Sequence, residues 1–200
     1  MFKRLIDIFL SLIALVFLSP FLLVISFLIK LDSRGSILFS QVRIGKNLKR
    51  FKIFKFRTMY QDQSSHGDIV NNKDLSKARS EYKTTEKNDP RITKIGEFLR
   101  KYSIDELPQI FNIIIGDMSV VGPRPDVPAQ EADYSNRQWV KRHAVKPGLT
   151  GLAQINSRNK KFDHNLRIAL DIWYTKKNNF CLDILIILRT FKLVFRGRDY

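Results

Sequence analysis

Ile8-Phe9-Leu10-Ser11-Leu12-Ile13-Ala14-Leu15-Val16-Phe17-Leu18-Ser19-Pro20-Phe21-Leu22-Leu23-Val24-Ile25-Ser26-Phe27-Leu28-Ile29 carries no charge and is broken near its centre by Ser19-Pro20. As a helix at about 1.5 Å per residue it would be roughly 33 Å long, just enough to cross a hydrocarbon core about 30 Å thick. A simple span shows an excess of Lys and Arg on one side only. Here Lys3 and Arg4 precede the run, and Lys30, Arg34, Arg43, Lys46, Lys49 and Arg50 follow it. Both ends therefore favour the cytoplasmic side. Pro20 lacks an N–H and clashes with the carbonyl of Val16, so a bend at mid-depth is expected. The freed backbone group needs a hydroxyl such as Ser19 or a packed neighbour, because lipid offers none. The expected form is a re-entrant hairpin over residues 1–34, entering one leaflet and returning. Its rival is a straight single-pass anchor with a mild kink. A secretory signal is excluded by the length of the run and by the lack of a small-residue cleavage site after it.

Working outward, residues 35–200 form one further domain of ordinary size, with no internal repeat. A net charge of +16 and a pI near 10.1 call for an anionic partner: nucleic acid, anionic lipid or a phosphorylated substrate. The membrane segment favours the last two, since juxtamembrane cations gain about 1 kcal/mol each near an anionic leaflet. The single Cys181 excludes an intrachain disulfide, and His66, His143 and His164 are too scattered for a zinc site.

The pattern is α+β: a small, mainly helical domain with a short β-hairpin and amphipathic interfacial helices. Residues 37–42 and 51–56 read as strands joined by a turn at Gly45-Lys46-Asn47. Residues 61–87 are polar and without period, a lid or a linker. Asn88-Asp89-Pro90-Arg91 is a turn. Helical spacing covers 92–102, then Ile110 to Ile115 ending at Gly116, then one polar helix over 131–143 carrying Trp139, then 162–174. Val120 to Pro125 is extended by its prolines, and Lys146-Pro147-Gly148 through Gly151 reads as a tight turn. Residues 182–195 combine a wide apolar face with Asp183, Arg189 and Lys192, which suits either an interfacial helix or a buried one.

The densest chemical signal is Ser103-Ile104-Asp105-Glu106-Leu107-Pro108-Gln109. Ser103 and Glu106 match a capping box, which would make both acids ordinary first-turn residues. Alternatively Pro108 opens the helix, with the acids just ahead of it. In both readings the dipole is expected to keep Asp105 and Glu106 ionised. Adjacent acids beside Arg100 and Lys101 are also the ingredients of a Mg²⁺-assisted phosphoryl-transfer site, because Mg²⁺ takes one or two carboxylates plus substrate phosphates. Arg57, Arg91 and Arg124 are further phosphate-binding candidates. Arg124 stands between Pro123 and Pro125, whose rigidity lowers the entropy lost on gripping a phosphate bidentately.

At these residues the chain resembles the monotopic phosphoglycosyl transferases, the bacterial sugar transferases that start lipid-linked glycoconjugate assembly. The likeness runs through the Ser19-Pro20 break, Phe54-Lys55-Phe56-Arg57-Thr58-Met59, Asn88 to Arg91 and Ser103 to Gln109. It continues through Gly116 to Pro125 and Arg142 to Gly151. In the loop after Gly151, Leu152 replaces the family's usual tryptophan and Ser157 a glycine.

The resemblance implies a catalytic-domain-only enzyme at the cytoplasmic face of the bacterial inner membrane. It would move a sugar-1-phosphate from a UDP-sugar to polyprenol phosphate, giving polyprenyl-diphospho-sugar and UMP. It also implies Asp105 as covalent nucleophile and Glu106 as a helper with Mg²⁺ or acceptor deprotonation. Arg100, Arg124, Asn156 and Arg158 are implied as phosphate or substrate contacts. A homodimer is compatible with the sequence, and nucleic acid is not an expected partner. The non-enzymatic alternative is a membrane-tethered basic module for anionic lipid or nucleic acid, which gives Asp105 and Glu106 nothing to do. A polytopic transferase making the same product needs many spans, and this chain has one apolar run of that length.

Overall fold

The computed structural model describes residues 2–60, 79, 89–157 and 163–196. Residues 61–78, Asn88 and Arg158 lie outside it, so the reading of the polar stretch as a lid or linker falls almost wholly outside the described residues. The architecture mixes helix and sheet around one long apolar N-terminal helix. That helix, α1, spans Phe2–Asp32 and is continuous through Pro20. Among the described residues it alone is long and apolar enough to cross a membrane. Ser19 Oγ donates to the carbonyl of Val16 at 2.9 Å, serving the acceptor that Pro20 cannot.

Both ends of α1 are fastened to the same globular body. At the start, Lys3 Nζ donates to Tyr174 Oη (2.8 Å) and pairs with Asp183. Arg4 donates to the carbonyls of Ile113 and Ile114, and Asp7 accepts from Ser119 Oγ and Val120 N. At the far end Ile25 and Ile29 pack with Phe56 and Leu99, and Asp32 accepts from the Ile95 N–H at 3.1 Å. Between these anchors large apolar side chains stand open, Phe17 at 80% exposure.

Strands β1 (Leu38–Ile44) and β2 (Arg50–Phe56) form an antiparallel hairpin with Leu38 opposite Phe56. Its turn puts Asn47 and Leu48 at positive φ. Helix α2 (Lys94–Lys101) starts on a Thr93 cap accepting from Gly96 N. A single 3-10 turn, Ile104–Glu106, leads into α3 (Gln109–Ile115), which ends on Gly116 at φ 111°, the left-handed region that glycine adopts without strain. Ile113, Ile53 and Met118 form the core beneath the hairpin.

Three expectations give way here. The Ser103 capping box does not form: Ser103 is left-handed (φ 57°), its side chain does not cap the turn, and the Glu106 carboxylate turns to cations instead. Pro108 stands immediately before α3, as in the alternative reading. The tight turn at 146–151 is a strand: β4 (Gly148–Thr150) pairs in parallel with β3 (Ser119–Val121). The approach is close because Gly122 and Gly148 face each other; a Cβ on Gly148 would run into the Gly122 backbone nitrogen. The single polar helix at 131–143 is two pieces. A 3-10 segment, Pro128–Asp133, gives way to α4 (Asn136–Arg142), capped by Ser135 with Gln138 in a reciprocal box that restarts the helix.

Helices α5 (Leu152–Ser157), α6 (His164–Lys177) and α7 (Phe180–Arg196) complete the fold. The residues of α5 have no long apolar period, and it is only six residues long. One side of α7 is core, with Ile186 fully buried against Val121 and Tyr174. The other side leaves Leu188 and Phe191 more than half exposed.

Candidate active site

Three elements converge on Asp105 and Glu106. Strand β2 alternates its sides, so Lys55 lies on the face that Ile53 buries, two residues on. That aims Lys55 Nζ at the acids, 3.0 Å from Glu106 Oε1 and 4.0 Å from Asp105 Oδ2. From the loop after β3, Arg124 Nη2 reaches the same Glu106 oxygen at 2.8 Å. Arg100, in the last turn of α2, is held by a bond from its Nε to Thr58 Oγ1 at 2.8 Å, and its charge acts on Asp105.

Burial, and then the Glu106 charge, push the Asp105 carboxyl above the usual carboxylate range, while Lys55, Arg100 and Arg124 pull the other way. Burial thus opposes the ionised form that the helix terminus was expected to favour, and the three cations support that form. Burial also lowers the Lys55 ammonium, with Arg124 and Arg43 adding to this and both acids opposing it. Oppositely charged groups whose proton affinities are perturbed by burial and by each other in one pocket are a common property of reaction centres.

The loop carrying Arg124 is braced from behind. Arg142, 1% exposed, donates to the Arg124 carbonyl at 2.8 Å and to Asp171 Oδ2 at 2.9 Å, and pairs with Asp126. The two residues around Pro125 are thus held by one guanidinium spanning α4, α6 and the loop. Burial lowers the neighbouring His143 imidazole, which favours its neutral form.

Other candidates lie elsewhere. Arg57 is buried and caps the end of α1, donating to the carbonyls of Ile29, Ser33 and Arg34 and to Ser33 Oγ. That corrects its reading as a phosphate clamp: the unpaired carbonyls of a helix C-terminus have claimed the guanidinium. Arg91 is exposed and grips Asp89 through Nε and Nη2, holding that carboxyl at about 2. Asn156 is exposed and donates to Leu152 O, with no contact to the acids. The residue that sequence reasoning missed is Lys55. Its signal was a lysine in phase with Ile53 on the buried face of a strand.

Among the described residues no three His, Cys, Asp or Glu side chains gather for a metal ion. Asp105 and Glu106 nevertheless suit the smaller demand of Mg²⁺ for one or two carboxylates completed by substrate phosphates.

A family model described as bacterial sugar transferase matches residues 1–197. The chain is 43% identical over 206 residues to the undecaprenyl-phosphate glucose phosphotransferase of Komagataeibacter xylinus, covering 98% of this chain and 36% of that protein. It is 38% identical to the undecaprenyl-phosphate galactose phosphotransferase of Salmonella typhimurium, covering 97% of this chain and 40% of that protein. With the exopolysaccharide production protein PSS of Rhizobium leguminosarum bv. phaseoli the identity is 42%, over 94% of this chain and 92% of the relative. So the chain spans under half of two of these relatives and nearly all of the third. Its likeness reaches from the apolar helix through the acid pair to α7, and on that ground the chain belongs to the bacterial sugar transferase family.

Proposed function

We propose that the chain transfers a sugar-1-phosphate from a UDP-sugar to undecaprenyl phosphate, the first membrane step of a glycoconjugate pathway. The observation that carries the reading is a partly buried Asp105 beside a buried Glu106, with Lys55, Arg100 and Arg124 around the pair. Asp105 Oδ attacks the sugar-bearing phosphorus. The bond from that phosphorus to the UMP oxygen breaks, and UMP leaves with the electron pair. An oxygen of undecaprenyl phosphate then attacks the same phosphorus and displaces Asp105, giving undecaprenyl-diphospho-sugar. Two half-reactions let one pocket serve a soluble donor and a lipid acceptor in turn.

Arg124 and Lys55 neutralise phosphate oxygens as charge builds, and Arg100 keeps Asp105 accessible as the anion. Arg142 fixes the backbone from which Arg124 reaches. Mg²⁺, held by Asp105 and Glu106, would supply further neutralisation of the diphosphate when bound. Relatives bear names for glucose and for galactose transfer, so the donor is sought with a panel of UDP-sugars.

The fastening of both α1 ends to one body supports a re-entrant helix on the cytoplasmic face of the inner membrane, with α7 lying in the interface. A basic module that only binds lipid or nucleic acid leaves the acid pair and the cations gathered on it unexplained. The test is UMP release from a panel of UDP-sugars with undecaprenyl phosphate and Mg²⁺. Release with at least one donor, dependent on Asp105, is expected; no release with any nucleotide sugar refutes the reading.

A further inference from the structure

Gln109 opens α3, three residues after Glu106 and four after Asp105, and is 3% exposed. A buried carboxamide is almost always hydrogen-bonded, to protein or to water. Asn112, in the same helix, follows that rule: its Oδ1 accepts from Phe54 N at 3.0 Å and its Nδ2 donates to Lys52 O at 2.7 Å. The Gln109 side chain has no such partner among the described residues. It lines a cavity of about 10 Å³ together with Lys55, Arg43 and Arg124. That volume is about the room of one water-sized group, or of one phosphate oxygen. Three basic side chains and one neutral donor with no protein partner among the described residues, around a space of this size, describe a seat for an oxyanion.

We propose that Gln109 is a substrate-binding residue whose carboxamide N–H donates to a non-bridging phosphate oxygen of the UDP-sugar, seated between Lys55 and Arg124. This rests on the reading of the Asp105 pocket as a phosphoryl-transfer site and adds a contact to it. A neutral donor suits the position. A fourth cation would add to the mutual repulsion of Lys55, Arg43 and Arg124 around the cavity, whereas a carboxamide adds direction without charge. The same geometry accounts for the polar residue at a site where leucine would fill the space at lower cost.

The experiment compares wild type, Gln109→Leu and Gln109→Glu as full chains in nanodiscs. It measures UMP release against UDP-sugar and undecaprenyl phosphate concentration, UDP binding by calorimetry, and thermal unfolding. Gln109→Leu loses no protein partner, so its unfolding temperature stays or rises. Its kcat/KM for the UDP-sugar and its affinity for UDP fall at least about tenfold, with the KM for undecaprenyl phosphate unchanged. Gln109→Glu sets a carboxylate against the incoming oxyanion and falls further. Gln109→Met, of similar length, replaces the leucine variant if that one does not fold. A folded apolar variant with wild-type kinetics and UDP affinity overturns the proposal, since Gln109 would then be a core residue facing a water. A rise in KM for undecaprenyl phosphate alone also overturns it, by assigning the oxygen to the acceptor. Wild-type UMP release that is insensitive to Gln109 sinks this inference alone; a wild type that neither turns over any UDP-sugar nor binds UDP sinks the broader reading with it.

Discussion

Replacing Asp105 with asparagine keeps the shape of the side chain and removes the nucleophile. An amide oxygen forms no stable bond to phosphorus, so UMP release should fall by at least about 10⁴-fold, roughly 5.5 kcal/mol of barrier. The fold should not suffer. Lys55 stands 4.0 Å from Asp105 but 3.0 Å from Glu106, so its nearer partner survives the change. Burial and Glu106 raise the Asp105 carboxyl in the folded state, so ionising it there is harder than in the unfolded chain. Stability is therefore lost in wild type as pH rises through that elevated value, and the asparagine variant escapes the loss. The unfolding temperature of Asp105→Asn should equal wild type in acid, where the carboxyl carries its proton, and match or exceed it at neutral pH and above. The wild-type rate should show the mirror image, falling as pH drops through the same value, above the ordinary aspartate range of about 3.9. UMP release and thermal unfolding across pH check both halves. A variant retaining more than about a hundredth of the wild-type rate, or one clearly destabilised at neutral pH, refutes the reasoning.

Arg124→Lys keeps the charge but loses the planar fork, and should cost at least about tenfold in kcat/KM, or 1.4 kcal/mol, with unfolding unchanged. Arg57→Ala should act in the opposite way: it strips the carbonyls of Ile29, Ser33 and Arg34 of a buried donor and should cost about 3 kcal/mol of stability by thermal or denaturant unfolding. A shift in donor KM at unchanged stability would restore Arg57 as a phosphate clamp. Ser19→Ala with Pro20→Leu restores the backbone donor missing at position 20, and under the re-entrant reading α1 should become a span and carry the N-terminus across the membrane. A cysteine placed at Phe2 in a Cys181→Ser background should then label with an impermeant thiol reagent from the periplasm, while the parent stays protected.

Much of this was written locally in the chain. The apolar helix, the β-hairpin and the Gly116 stop follow from period, turn chemistry and left-handed glycine, which short windows report. What the chain hides is pairing between distant residues. Gly148 and Gly122 read as turn formers, yet they serve a parallel pairing that only tertiary contact creates. Ser103 and Glu106 satisfy a local capping rule, but Lys55 and Arg124 outbid the Ser103 backbone for the Glu106 carboxylate because charge-assisted bonds are the stronger ones. Arg57 and Lys55 stand two residues apart in one basic strand end. Only the positions of α1 and of the acid pair decide that the first caps a helix and the second enters the site.

A covalent phosphosugar on Asp105 is open to intact and peptide mass spectrometry. Wild-type chain incubated with its UDP-sugar and Mg²⁺, with no acceptor present, should release UMP up to one equivalent and gain the mass of the phosphosugar on the peptide containing Asp105. Undecaprenyl phosphate should then discharge the adduct as the diphospho-sugar. UMP formation only when undecaprenyl phosphate is present, with Asp105 unmodified throughout, would contradict the account and point to direct transfer between the two substrates.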